Sequence, residues 1–446
     1  MISSKTYLKI SIAFIFLLTG HVLLGYFIKR DHTIDLFLVL SILFVAYYYL
    51  CRLEIDTKQF YTLIGSAIVL RLAWLFAFPD LSDDYARFIW DGRLTISGHN
   101  PFKYLPAEIM KKGLSGFQPD IVIYKEMNSQ TYYTCYPPLL QMIFAIAAEI
   151  FPHSIYGDIL ILRLFNLVTD VGTVCLLICL CEKWKIDKKL TLWYALNPMV
   201  IAELTGNLHY EGVMIFFILL SVWFCEGKLL WLAVICLTAA VITKLVPLML
   251  LPLFFFYWKG RKGVIFCLGV LLLTLISFVP FFDMAVFYKF WSSIDSYFQK
   301  SEYNASIYYL TRDTVMHFTR ENKIEIIGPI LTLISGLILF FYAIIKRNSL
   351  KSEGFLKCFS WTLLIYYAFT TTVLPWYITP LIGFTAFTHY KFPLVWSAAI
   401  MLSYYANRSP AFEENYLLIW VEYIALAVAV VWDLYQEYAK KQLAFA

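Results

Sequence analysis

Charge is what this chain has least of. Asp, Glu, Lys and Arg make up 15% of its 446 residues, where soluble domains carry about a quarter. Hydrophobic residues make up 61%, which excludes a water-soluble globule and makes a lipid bilayer the matching solvent. Alternation of polar and apolar residues over ten-residue strands is also missing, so a transmembrane barrel is excluded. The nine cysteines form no CxxC pair and have no histidine at metal-ligand spacing. Most lie inside apolar runs (Cys175, Cys179, Cys181, Cys225, Cys236, Cys267) and read as small buried hydrophobes. No Gly/Ser linker or charge run marks a second soluble domain, and no internal repeat supports an inverted-repeat transporter.

What is present is a series of apolar runs such as "LKISIAFIFLLTGHVLLGYFI" (8–28) and "IIGPILTLISGLILFFYAII" (326–345), each long enough for a membrane helix. The first is too long for a signal-peptide core and is followed by no small-residue cleavage site, so it is expected to remain as a span. Spans are expected near 6–28, 33–51, 59–79, 157–181, 190–204, 211–225, 228–243, 245–258, 263–281, 324–346, 355–373, 377–389, 392–406 and 415–434. The fold class is therefore all-α, a polytopic helical membrane protein of about 12–14 transmembrane helices, with residues 1–446 forming a single domain. The net charge of +5 comes from short basic clusters, including "CEKWKIDKK" (181–189), "WKGRKG" (258–263) and "KRNSLKSEG" (346–354). These are orientation signals that the positive-inside rule places in the cytoplasm, and they give no reason to expect nucleic acid. The two long polar segments, 80–136 and 282–323, then face outward. "PPLLQMIFAIAAEIF" (137–151) would upset that orientation if it crossed, so it is expected to dip into the outer leaflet and return.

Polar residues near the outer ends of spans cost about 2.5 kcal/mol or more each, which makes those that persist candidates for function. Here they converge at one depth: Asp83, Asp84 and Asp91; Arg163, Asn166 and Asp170; Glu203, Asn207, His209 and Glu211; Lys244; Trp376 and Tyr377. Arg163, Asn166 and Asp170 share one helical stripe, where intramembrane Arg and Asp commonly neutralise each other. Lys244 stands at a turn, either snorkelling to the interface or meeting a phosphate, for which its compact cation is suited. His209 and Glu211 are two residues apart, a spacing that fits a loop or a helix start. Contacts to substrate hydroxyls, acid–base support and a structural pair are all compatible with them. Trp376 and Tyr377 fit an interfacial aromatic belt.

The densest charge lies in "LSDDYARFIWDGRLTISGHNPF" (81–102). Arg87, Arg93 and Lys103 read equally well as solvated surface or as function. Two adjacent aspartates directly after a span are more telling. If a sugar hydroxyl attacks an activated carbon, a carboxylate at the membrane mouth can take its proton. Repulsion between Asp83 and Asp84 would raise the pKa of one of them and make it a better base.

This segment, followed by "YPPLL" (136–140), "NPMVIAELTGNLHYEG" (197–212), "ITKLVPLMLLP" (242–252) and "LPWYITPLI" (374–382), resembles the bacterial polyprenyl-phosphate-sugar-dependent glycosyltransferases of the GT-C superfamily, and most of all their mannosyltransferase-like branch. The match lies in the set of motifs and their order, over most of residues 70–385. Phe88 and Phe102 stand where tyrosine is common in that branch. The resemblance implies an inverting glycosyltransferase that moves a hexose, with mannose expected, from a polyprenyl-phosphate donor to a glycan or lipid acceptor. The active site would face outward from the bacterial inner (plasma) membrane, with membrane lipid around it. It also implies Asp84 as catalytic base with Asp83 beside it, and Lys244, then Arg163, at the donor phosphate. Asp91, Arg87, Tyr136, His209, Glu211, Trp376 and Tyr377 would contact substrate. No cofactor and no metal are expected.

Aromatic side chains in the loops (Trp90, Tyr104, Tyr132, Tyr133, Tyr303, Tyr308, Tyr309) are expected to stack on sugar faces. The alternatives from other classes are a transporter or flippase of a lipid-linked or small polar substrate, and a ligase or polymerase acting on diphosphate-linked glycans.

Overall fold

A computed structural model of the chain describes residues 2–284, 286, 288–290, 292, 301–351, 353–409 and 412–445. Part of the second long polar segment, 293–300, therefore lies outside the described residues. Among the described residues regular structure is helical, and extended pairing is limited to two isolated bridges, Leu114 with Phe117 and Tyr303 with Thr372. The all-α expectation holds. Among the described residues six helices are each long and apolar enough to cross a bilayer: Ser4–Tyr26, Thr33–Arg52, Ile155–Trp184, Gly260–Phe281, Ile324–Lys346 and Tyr416–Lys440. Their outer faces are built for lipid. Leu268, Leu272 and Leu275, for example, expose 60%, 58% and 69% of their surface, an apolar face that water would not tolerate.

Several of the shorter expected spans are interrupted, and proline is the recurring cause. The stretch 190–204 is a succession of short pieces: a 3-10 turn Lys188–Thr191, a helical turn Leu192–Ala195, and Pro198–Val200 running into the π-helical segment Ile201–Gly206. Pro198 lacks an N–H and so starts a new helix at its first position. Asn197 caps that helix, its side chain accepting from the backbone N–H groups of Met199 and Val200. Pro198–Gly206 and the helix Glu211–Glu226 meet at 108°, and counted as one broken span they make a seventh crossing. In the same way 245–258 divides near Pro252 into Val246–Leu250 and Leu251–Trp258, while 392–406 changes from the helix Phe392–Ala399 to the 3-10 segment Ile400–Arg408 with no proline at the junction.

The first polar segment is organised by two amphipathic helices, Asp84–Ile96 and Pro138–Ile150. The second has 13 residues, too short for a hydrocarbon core of roughly 30 Å at about 1.5 Å per residue. It packs against the first so closely that a Cβ on Gly92 would overlap the carbonyl of Phe144, so the glycine of the "WDG" sequence is a steric requirement. The apolar faces of this pair form a buried cluster that includes Phe88, Trp90, Phe144, Leu162 and Tyr210. Trp90 is 1% exposed, packed edge-on against Phe117. It is a core residue and not the sugar platform expected of it. Tyr308 and Tyr309 are buried too, in a separate cluster with Ile327 and Leu331.

Candidate active site

A cavity of about 340 Å³ brings together the start of the helix Asp84–Ile96, the "YPP" sequence, the Lys244 turn and the "PWY" sequence. Seven of the eleven expected site residues line it: Asp83, Asp84, Tyr136, Glu211, Lys244, Trp376 and Tyr377. Local sequence explains how the walls meet. Pro137 and Pro138 begin the helix Pro138–Ile150, and the free N–H of Leu139 donates to the carbonyl of Ile242 at 3.1 Å. That bond ties "YPP" to the turn carrying Lys244.

The two adjacent aspartates have different surroundings. Asp83 is engaged on both oxygens, by Arg30 at 3.1 Å and by the amide of Asn128 at 2.7 Å. Asp84, in the first helical turn, has His209 Nε2 at 3.7 Å and is 16% exposed at its side chain. Burial raises the pKa of Asp84; His209 and Lys244 oppose the rise, while Asp83 and Glu211 add to it. A carboxylate with a raised pKa that faces a cavity is suited to accept a proton.

His209 lies directly behind that wall. The π-helical segment ends at Gly206, Leu208 takes a left-handed conformation (φ 65°), and the chain turns back so that the His209 N–H reaches the carbonyl of Glu203 at 3.1 Å. A leucine at positive φ costs about 1–3 kcal/mol and persists only where surrounding structure demands it. Here the turn delivers the His209 ring onto Glu203, with Nδ1 to Oε2 at 3.0 Å. The other oxygen of Glu203 accepts from the Tyr404 hydroxyl at 2.6 Å. Trp376 stacks on the imidazole at a centroid distance of 3.6 Å and 16° between planes.

On the same cavity Lys244 is ion-paired with Glu211 and sits over the Tyr377 ring, 5.6 Å from its centroid. The second carboxylate oxygen of Glu211 is buried without a hydrogen-bond partner. It is an acceptor in want of a donor, as a substrate hydroxyl would be. Among the described residues no group of three or more His, Cys, Asp or Glu is placed to hold a metal ion.

Three expected site residues lie elsewhere, each in a structural role. Arg87 (3% exposed) and Asp91 (fully buried) pair with each other at 2.8 Å. Arg87 also donates to the carbonyls of Ser129 and Tyr132, at 3.1 and 2.8 Å, and Gln141 donates to Asp91 at 3.1 Å. These charges fasten the outer segment to itself. Arg93 does the same, bridging Asp120 and Asp158 at 2.9 Å each. Arg163 donates to the carbonyls of Thr205, Gly206 and Leu75 at 2.9–3.0 Å, which occupies its guanidinium away from the cavity. The expected neutralisation within its stripe is also absent: Asp170 pairs with Arg71 at 2.5 Å and accepts from Tyr194 at 2.6 Å.

The cavity also contains residues that reading the sequence missed, notably Arg30, Asn128, Tyr404 and Phe412. Arg30 had a signal, being a basic residue at the end of the first span opposite to Lys5 and Lys9. Tyr404 had none, lying inside an apolar stretch.

The family model of the alpha-(1->6)-mannopyranosyltransferases, N-terminal domain, of the MptA/B family, matches residues 22–260. That is more than half of the chain, and it includes Asp83, Asp84, Tyr136, His209, Glu211 and Lys244. The chain belongs to this family. No curated protein matches it. This mannosyltransferase is thus a GT-C-type glycosyltransferase embedded in a membrane, acting between a sugar donor and a glycan acceptor. Trp376, Tyr377 and Tyr404 fall outside the matched residues, so part of the cavity wall comes from the other half of the chain.

Proposed function

We propose that the protein is an inverting mannosyltransferase that takes mannose from a polyprenyl-phosphate and transfers it to a glycan or lipid acceptor on the outer face of the bacterial inner membrane. The observation that carries this reading is the placing of Asp84 and Lys244 on one cavity in a chain of the mannosyltransferase family. Asp84 takes the proton of the attacking hydroxyl as the new bond forms at the anomeric carbon. The bond from that carbon to the phosphate oxygen breaks on the opposite side, and Lys244 offsets the charge left on the phosphate. The apolar side chains Met214, Leu245 and Val246, which line the same cavity as Lys244, suit the first isoprene units. Arg30, Asp83 and Asn128 form a charge-neutral, hydrogen-bonded set on the same cavity, suited to the hydroxyls of the acceptor sugar. The basic clusters at the far ends of the spans support the outward orientation.

A transporter or flippase has less support, because family membership speaks for sugar transfer. The test is direct. Purified full-length protein in detergent or nanodiscs receives polyprenyl-phosphate [14C]mannose and a mannose-terminated acceptor. Labelled product with an α-linkage, cleaved by an α-mannosidase, is the expected result. Absence of transfer from every polyprenyl-phosphate sugar supplied would refute the reading.

A further inference from the structure

We infer that His209 is a proton relay acting through Asp84: it receives from Asp84 the proton that Asp84 takes from the acceptor, and Glu203 and Trp376 hold it ready to do so. This inference rests on the proposed mannosyl transfer. Both ring nitrogens have defined neighbours. Nδ1 faces the buried Glu203 carboxylate at 3.0 Å, which assigns the ring proton to Nδ1 and leaves the Nε2 lone pair pointing at the cavity. Nε2 has Ser82 Oγ at 3.3 Å and Asp84 Oδ2 at 3.7 Å. The neutral ring, with the Ser82 hydroxyl donating to Nε2, is the form that can take a proton from Asp84. Once Asp84 is protonated, its O–H is a far stronger acid than the closer Ser82 hydroxyl and is the group that can protonate that lone pair.

The step balances. As the acceptor oxygen bonds to the anomeric carbon, the carbon–oxygen bond to phosphate breaks and its electron pair leaves with the phosphate. The acceptor proton passes to Asp84 and then to Nε2, and it leaves by way of Asp84 to water in the cavity once product has departed, which restores the neutral ring. The resulting imidazolium is met by Glu203 on one edge and by the Trp376 face stacked on it, an arrangement that favours a cation. Glu203 is held in turn by Tyr404 at 2.6 Å and Asn207 at 3.2 Å. The other charged groups around the ring are already paired, Asp83 with Arg30 and Lys244 with Glu211, so proton traffic runs between Asp84 and His209.

The relay makes a prediction that the wild-type enzyme alone can test. Turnover needs Asp84 ionised and His209 neutral, so log kcat falls on the acid side with a limiting slope of two. A slope of one would overturn the relay while leaving mannosyl transfer intact; a wild-type enzyme with no transfer at all would instead refute the underlying reading. His209→Gln, which can still donate to Glu203, should lower kcat about a hundredfold or more, keep the donor KM within about threefold of wild type, and reduce the slope to one. Glu203→Gln, which cannot stabilise the imidazolium, should lower kcat at least about tenfold. Folded variants with unchanged kcat and slope would show that His209 is only scaffold. A raised donor KM at unchanged kcat would make it a donor contact, and either result overturns the inference.

Discussion

Asp84→Asn separates a catalytic carboxylate from a structural one, because activity and stability should respond in opposite ways. The amide has the same shape and removes only the ability to accept a proton. A positioned base contributes about 10²–10⁴-fold to rate, or about 3–5 kcal/mol of activation free energy. Stability has the other sign. Burial raises the folded-state pKa of Asp84, so its favourable contribution to folding is complete below the ordinary carboxylate pKa and is lost as pH rises through the raised value. Near neutral pH the wild type therefore carries the cost of an ionised, partly desolvated group that asparagine avoids. The variant should lose at least about 99% of kcat while its Tm stays equal to or above that of wild type. Initial rates with labelled donor and thermal unfolding in the same detergent check both. Retention of more than a tenth of kcat would refute the base assignment, and so would a fall of several degrees in Tm alongside the lost activity.

Other perturbations follow from the same geometry. Lys244→Gln should raise the donor KM and lower kcat, and it leaves Glu211 buried without its cation. Adding Glu211→Gln should restore Tm without restoring transfer, as donor titrations and melts would show. Asp91→Asn breaks a buried pair and should destabilise by about 3 kcal/mol, visible in thermal or denaturant unfolding; a stable variant with altered donor affinity would return Asp91 to the substrate. Gly92→Ala forces the helices Asp84–Ile96 and Pro138–Ile150 apart, at about 1–3 kcal/mol of overpacking, measurable as a lowered Tm with transfer reduced in proportion to folded protein. Arg163→Met should lower Tm, because three carbonyls lose their donor, while the donor KM of the folded fraction stays the same.

The sequence made the membrane class and seven of the side chains that line the cavity legible, because hydropathy and motif order are local properties. It did not show the breaks in the shorter spans. An apolar run reads the same whether it is continuous or divided by proline, and whether Pro198 begins a new helix depends on the cap that Asn197 supplies. The roles of the charges were the least legible. Arg87, Asp91 and Arg93 look in sequence like a solvated or catalytic cluster, and only packing shows that they close the outer segment on itself.

By itself, then, the sequence determined that this chain is an all-helical membrane protein carrying an aspartate pair, a lysine and aromatic residues in the order of a mannosyltransferase. Tertiary structure decided which of those side chains reach the cavity and which are spent on partners. Glu203 meets Tyr404 across 201 positions of sequence and Arg71 meets Asp170 across 99. A buried charge must find a partner wherever the fold brings one, so its role is set by a neighbour that local sequence cannot name.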